Sequence, residues 1–220
     1  AQTAHREAFR AMVRLAADMK AAVRVGMREA SAAEGLTEYN LFVKRNFGAL
    51  TAEGVDYRRL RLSEGEVAPV GVERAELGED LVVRVEFEKN PERRRAGSGD
   101  EVLLYAYCPA MCEGVLSAPV YRRSRRVEVA LPDGWRGQEV HCYCFVRDYR
   151  QRCSETVYVE VGAGGQAGAE AVEPVGVDEP AAVSVPGQAV AAAAEREVRA
   201  AEHRRPVVDE RQLSLFDGFD

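Results

Sequence analysis

Between residues 57 and 161, polar and apolar side chains alternate in short runs, a period of two that rules out a helical reading of this stretch. The clearest runs are "YRRLRLSEG" (57–65), "LVVRVEFEK" (81–89), "RRVEVALP" (125–132), "EVHCYCFVRD" (139–148) and "ETVYVEV" (155–161). "EVLLYAYC" (101–108) and "GVLSAPVYRR" (114–123) are further strand candidates with less polar relief. Turn residues separate the runs at Asn90-Pro91, Gly97-Ser98-Gly99-Asp100 and Pro132-Asp133-Gly134.

Seven short strands with turn signals between them predict an antiparallel β-sandwich of immunoglobulin or fibronectin type over residues 56–162. Trp135, in the turn before a strand, is expected to anchor one end of its core. The text before it has a different period. Phe9, Met12, Val13, Ala16, Met19, Val23 and Met27 recur at three- and four-residue spacing and predict a helix over 2–30. "SAAE" (31–34) has capping-box spacing, and Thr37 is a second candidate cap. "TEYNLFVKRNFGAL" then reads as a shorter helix with Tyr39, Phe42, Val43 and Phe47 on one face and Gly48 as its stop. The fold class is therefore α+β: a helical hairpin over 1–52, then the sandwich.

From Gly162 the composition shifts to Gly, Ala, Pro and acids. Residues 163–205 read as a low-complexity, disordered linker in which "AVAAAAEREVRAAEHRR" (189–205) could form a transient helix ended by Pro206. Residues 206–220 hold an apolar cluster and read as a recognition peptide. Charge follows the same division. Residues 163–220 contain eleven Asp/Glu and five Lys/Arg, which accounts for the whole net charge of −6 and leaves residues 1–162 balanced. A balanced folded part argues against direct, non-specific nucleic-acid binding. No apolar run approaches the roughly 18 residues of a membrane span, so no membrane partner is expected. Five cysteines, an odd number, fit a reducing compartment and a cytoplasmic location.

Candidate chemistry is sparse. Cys108, Cys112, Cys142 and Cys144 could supply four thiolates to zinc, but the paired CxxC knuckles of structural zinc sites are missing. Cys142 and Cys144 alternate with Val140 and Val146 on one strand face, which favours core packing, and a Cys108–Cys112 disulfide is the remaining alternative. His141 points to the opposite face with no Ser or Asp set by sequence to complete a triad. The chain carries no GxSxG, no P-loop and no GxGxxG leading into a helix. No catalytic residue, cofactor or enzyme activity is expected. Arg93-Arg94-Arg95 and Arg122, Arg123, Arg125 and Arg126 read as solubilising charge at turns; as nucleic-acid contacts they would have to converge beside aromatic rings.

Two resemblances add to this reading. "TEYNLFVKRNFGAL", "DYRRLRLSEGEVAP", "EVLLYAYCP", "VEVALPDGWRGQEVHCYCFVRD" and "SETVYVEVG" resemble, in order, an uncharacterised bacterial family in which a helical N-terminal region precedes an immunoglobulin-like β-domain. The resemblance implies a fold and no activity. It also implies that a Gly-rich, basic N-terminal segment is missing ahead of Ala1. "QLSLF", Gln212, Leu213, Ser214, Leu215 and Phe216, resembles the pentapeptide by which bacterial replication and repair proteins hold the DNA sliding clamp. That resemblance implies polar contacts from Gln212 at a pocket rim, Leu213 at its mouth, and Leu215 and Phe216 in an apolar cleft. A non-catalytic accessory protein recruited to the clamp is the first functional expectation. The alternative is a structural or surface assembly module of a mobile element or phage, with self-association and no clamp role.

Overall fold

The computed structural model describes residues 2–88 and 95–163. The predicted 2–30 helix is present as three consecutive segments, α1 (Gln2–Asp18), α2 (Lys20–Gly26) and α3 (Arg28–Ala33), with single-residue breaks at Met19 and Met27. The break at Met27 has a local cause. The carbonyl of Gly26 accepts from the amide of Glu64 at 3.2 Å, so the chain at 62–64 lies against the end of α2. "SAAE" is not a cap: Ser31 lies inside α3 and donates back to the Arg28 carbonyl at 3.0 Å. Thr37 is the cap, its hydroxyl accepting from the Asn40 amide at 3.2 Å to start α4 (Glu38–Asn46).

A small hairpin, β1 (Leu50–Thr51) with β2 (Gly54–Val55), follows. The expected strand at 57–65 does not form. Its alternation is real, since Leu60 and Leu62 are buried. Its backbone, however, bonds to side chains instead of a sheet neighbour. The amides of Leu62 and Ser63 both donate to the Thr156 hydroxyl at 2.8 Å, and Asn46 brackets Arg61, accepting from its amide at 2.6 Å and donating to its carbonyl at 2.9 Å.

The remaining strands form two sheets. One runs β3 (Val72–Leu77), β4 (Val82–Phe87) and β8 (Arg126–Ala130), all antiparallel, with β11 (Gly162–Ala163) pairing in parallel beyond β3. The other is antiparallel in the order β10 (Val157–Val159), β9 (His141–Arg147), β5 (Glu101–Cys108), β6 (Glu113–Leu116), with β7 (Val120–Tyr121) also on β5. β3 was not among the sequence candidates; "VERAEL" carries charge at Glu73, Arg74 and Glu76, which breaks the alternation, and only Ala75 is buried.

Two clusters of buried side chains organise these layers. The first joins both sheets, with Val83, Val85 and Phe87 facing Val102, Leu104, Ala106, Cys142 and Cys144. Trp135 is 2 % exposed in this cluster, as expected from its turn position. The second lies on the other face of β5 and β9, where Leu103, Tyr105, Tyr107, Tyr143 and Phe145 meet Met12, Met19, Val23, Met27, Leu41 and Phe42 of the helices. Double coverage explains why "EVLLYAYC" lacks polar relief: apart from Glu101 every residue of β5 is buried. Among the described residues, no helix is long and apolar enough to cross a membrane.

Candidate functional site

Three groups of side chains have the chemistry to do something, and the structure treats them differently. The thiols come first. All five cysteines are free; Cys108, Cys142, Cys144 and Cys153 are buried and Cys112 is exposed. Cys108, Cys142 and Cys144 belong to the core between the sheets, while Cys112 ends a short turn outside it with a left-handed φ of 50°. The four candidate zinc thiolates are thus split between core and surface, and among the described residues no cluster of three or more His, Cys, Asp or Glu is placed to hold a metal ion. Burial pushes the thiols of Cys142, Cys144 and Cys153 up to about 12, which suppresses the nucleophilic thiolate. Iodoacetamide is therefore expected to label Cys112 alone in the native protein and all five cysteines after unfolding. Mass spectrometry of the alkylated chain checks this; native labelling at Cys142 or Cys144 would contradict it.

The second group lies under the 56–60 loop, where α-helical cover gives way to the β10 edge. His141 is stacked on Tyr57 at 4.2 Å between ring centroids, and its Nδ1 is 2.9 Å from the Tyr158 hydroxyl. The Tyr143 hydroxyl donates to the Tyr57 carbonyl at 2.9 Å, locking the loop from below. Nε2 of His141 is buried without a hydrogen bond, with Glu139 at 3.5 Å. Burial, opposed by Glu139 and helped by Arg58, lowers its pKa and favours the neutral ring. The row ties a loop to a sheet.

The third group lies where β5 begins and β9 ends. An open cavity of about 750 Å³ is lined by Glu66, Arg95, Ser98, Asp148, Tyr149 and Arg152, among others. Three loops build it. The 95–100 loop is tied to its neighbours by the amide of Ala68 donating to the Arg95 carbonyl at 2.9 Å and the amide of Arg123 donating to the Ser98 carbonyl at 3.1 Å. The 148–152 turn is organised by Asp148, whose carboxylate accepts from the amides of Arg150 and Arg152 at 2.9 Å and from the Arg152 guanidinium. Burial would raise the Asp148 carboxyl, but the Arg152 amide and then its guanidinium outweigh that and lower it. The third loop, 66–69, is held by Arg122.

Arg122 departs furthest from its expected role as surface charge. It is 1 % exposed and its guanidinium donates to the carbonyls of Ala68 and of Pro69, the latter at 3.2 Å. Asp100 stands 3.8 Å from its Nε. Arg123, Arg125 and Arg126 are exposed as expected, while Arg93 and Arg94 lie outside the described residues. The exposed rings beside them were not singled out from sequence. Tyr149 is 79 % exposed with the Arg150 guanidinium 5.2 Å from its ring centroid, and Tyr121 is 50 % exposed with Arg123 at 4.5 Å. A Tyr-Arg dipeptide following a strand, as in "DYRQR", was the available signal.

Gln212, Leu213, Ser214, Leu215 and Phe216 lie outside the described residues, as do the proposed transient helix and the linker beyond Ala163, which itself belongs to β11. Comparison with protein-family models, with curated proteins and with solved structures returns no match.

Proposed function

We propose that the chain is a non-catalytic binding protein: an immunoglobulin-like β-sandwich braced by N-terminal helices and recruited to the bacterial DNA sliding clamp through Gln212–Phe216. The sequence "QLSLF" carries the clamp reading, because its spacing offers one polar and three apolar anchors in the order that such a cleft takes. The Gly-, Ala- and Pro-rich text between residue 163 and the pentapeptide supports it, since a tether of that composition lets a short peptide reach a pocket.

The sandwich reading is supported by strand order. β3-β4-β8 on one side and β10-β9-β5-β6 on the other correspond to the A-B-E and G-F-C-C′ arrangement of immunoglobulin-type domains, and both sheets contribute to one core. Membership of the uncharacterised bacterial family rests on the quoted sequence motifs, with which a helical region ahead of a two-sheet domain is compatible. Five free cysteines, four of them buried, support a reducing, cytoplasmic setting.

Burying Leu215 and Phe216 supplies roughly 3–6 kcal/mol gross. Ordering the peptide takes back part of that, so a micromolar affinity is expected. Titrating the full chain into a purified bacterial clamp by calorimetry tests the reading. Leu215→Ala/Phe216→Ala is expected to weaken binding at least about tenfold. Equal affinity of the variant, or no binding by the parent chain, would remove the clamp role and leave the assembly-module alternative, which size-exclusion chromatography would register as oligomers.

A further inference from the structure

We propose that the loop end of the two sheets binds single-stranded nucleic acid, with Tyr121 and Tyr149 as stacking platforms and Arg123 and Arg150 as the phosphate contacts. The inference stands on the folded unit and does not depend on the clamp reading.

Register places the two rings at one end of one sheet. Glu101 pairs with Tyr121 on one side and with Arg147 on the other. Adjacent strands lie about 4.8 Å apart, so the backbones of Tyr121 and Arg147 are about 10 Å apart, and Tyr149 follows two residues later. Arg123, in turn, is joined through its amide to Ser98 of the cavity wall. Arg123 and Arg95 therefore reach the same set of loops, near two exposed aromatic rings, while Arg125 and Arg126 pair with Glu73 and Glu128 at the other sheet. Arginine beside exposed rings is the arrangement a nucleic-acid role requires.

The charges at this end divide unevenly. Arg95 pairs with Glu66 at 3.4 Å, Arg147 with Glu101 at 2.5 Å, and Arg152 with Asp148 at 2.7 Å. Buried Arg122 faces Asp100. Arg123 and Arg150 have no acidic partner among the described residues, and they are the two that lie against tyrosine rings. The acids that line the cavity, Glu66, Asp100 and Asp148, are thus each paired with an arginine, and Arg123 and Arg150 sit beside the stacking surfaces. Residues 1–162 carry no net charge, so the attraction is confined to these two arginines and the rings beside them, and the chain's excess acid belongs to residues 163–220.

A ring beside a guanidinium suits an unpaired base and its phosphate, since any base can stack and the cation follows the backbone. A duplex hides its base faces and would offer these loops phosphates alone, for which two free arginines are too few. An acidic peptide would use the arginines and leave the rings idle.

Fluorescence anisotropy with labelled oligo-dT of about 20 nucleotides, on the full chain, tests the proposal. Binding is expected on the order of 10 µM at low salt, with a log–log salt slope near −1.4 for two phosphate contacts. Tyr149→Ala/Arg150→Ala and Tyr121→Ala/Arg123→Ala should each weaken it at least about fivefold. Tyr149→Phe should retain it, because the ring and not the hydroxyl does the stacking. Leu215→Ala/Phe216→Ala should leave it unchanged, so loss of clamp binding and loss of oligonucleotide binding are separable. No binding at about 100 µM chain, equal affinity for a duplex, equal displacement by poly-glutamate, or indifference to both double variants would overturn it. These side chains are exposed, so the variants are expected to keep the parent's circular dichroism.

Discussion

Replacing Gly26 by alanine is expected to destabilise the protein by about 2 kcal/mol or more, although the same change in an open helix stabilises by about 1 kcal/mol. Gly26 ends α2 at the point where the chain at 62–64 crosses it. A Cβ there would meet the Leu62 carbonyl oxygen and would lie 2.7 Å from Ser63 Cβ and 2.8 Å from Ser63 Cα. Much of the obstruction is backbone, so no rotamer change relieves it. The crossing segment cannot retreat without loss. It holds the bond from Glu64 to the Gly26 carbonyl and the paired bonds from Leu62 and Ser63 to Thr156. Gly48→Ala is the control, because a Cβ at Gly48 meets nothing within 4 Å. Urea unfolding followed by circular dichroism should separate the two variants. A Gly26→Ala chain as stable as the parent would show that α2 and the 62–64 segment pack more loosely than their geometry requires.

Arg122→Ala should have an effect at least as large, about 3–5 kcal/mol, by breaking a buried ionic group from one side only. Removing the guanidinium leaves the Ala68 and Pro69 carbonyls without their donor and Asp100, whose side chain is 10 % exposed, without its cation. Burial lowers the Arg122 pKa, and Asp100 is the first group that raises it again. Arg122→Met keeps the volume but still strands Asp100. Adding Asp100→Asn to it should recover part of the loss, and a double-mutant cycle in urea measures the coupling. A cost below about 1 kcal/mol for Arg122→Ala would return Arg122 to the role of surface charge.

Arg122 also marks the limit of what local sequence conveys. In "YRRSRR" it is one of four arginines with nothing in spacing or composition to set it apart. It is buried because β7 pairs with β5 and brings the turn after it over the 66–69 loop, more than fifty residues earlier in the chain. His141 is a parallel case. Its face was legible from the alternation with Cys142, but its partners, Tyr57 and Tyr158, come from a distant loop and the neighbouring strand. The segment 57–65 shows the opposite failure. Its alternating burial was correctly legible, yet alternation reports which side chains point inward and not what pairs with the backbone. Thr156 and Asn46 took that place.

For the candidate sites the division is similar. Gln212–Phe216 is legible because a linear peptide carries its whole chemistry in consecutive residues. The Tyr–Arg pairs at the loop end are invisible as a group, since Tyr121 and Tyr149 are 28 positions apart in the sequence and are brought to one end of one sheet only through the β7-β5-β9 register.

By itself the amino-acid sequence determined the helical and strand periods, the inward face of Cys142 and Cys144 and the burial of Trp135, and offered Thr37 as one of two caps. Each depends on side-chain pattern within a few residues, where solvent is the main discriminator. Only the tertiary structure decided that β5 and β9 are covered on both faces, that Gly26 admits no Cβ, and that Arg122 is internal. Those outcomes depend on which distant backbone arrives at a given surface, and local free energies do not encode that choice.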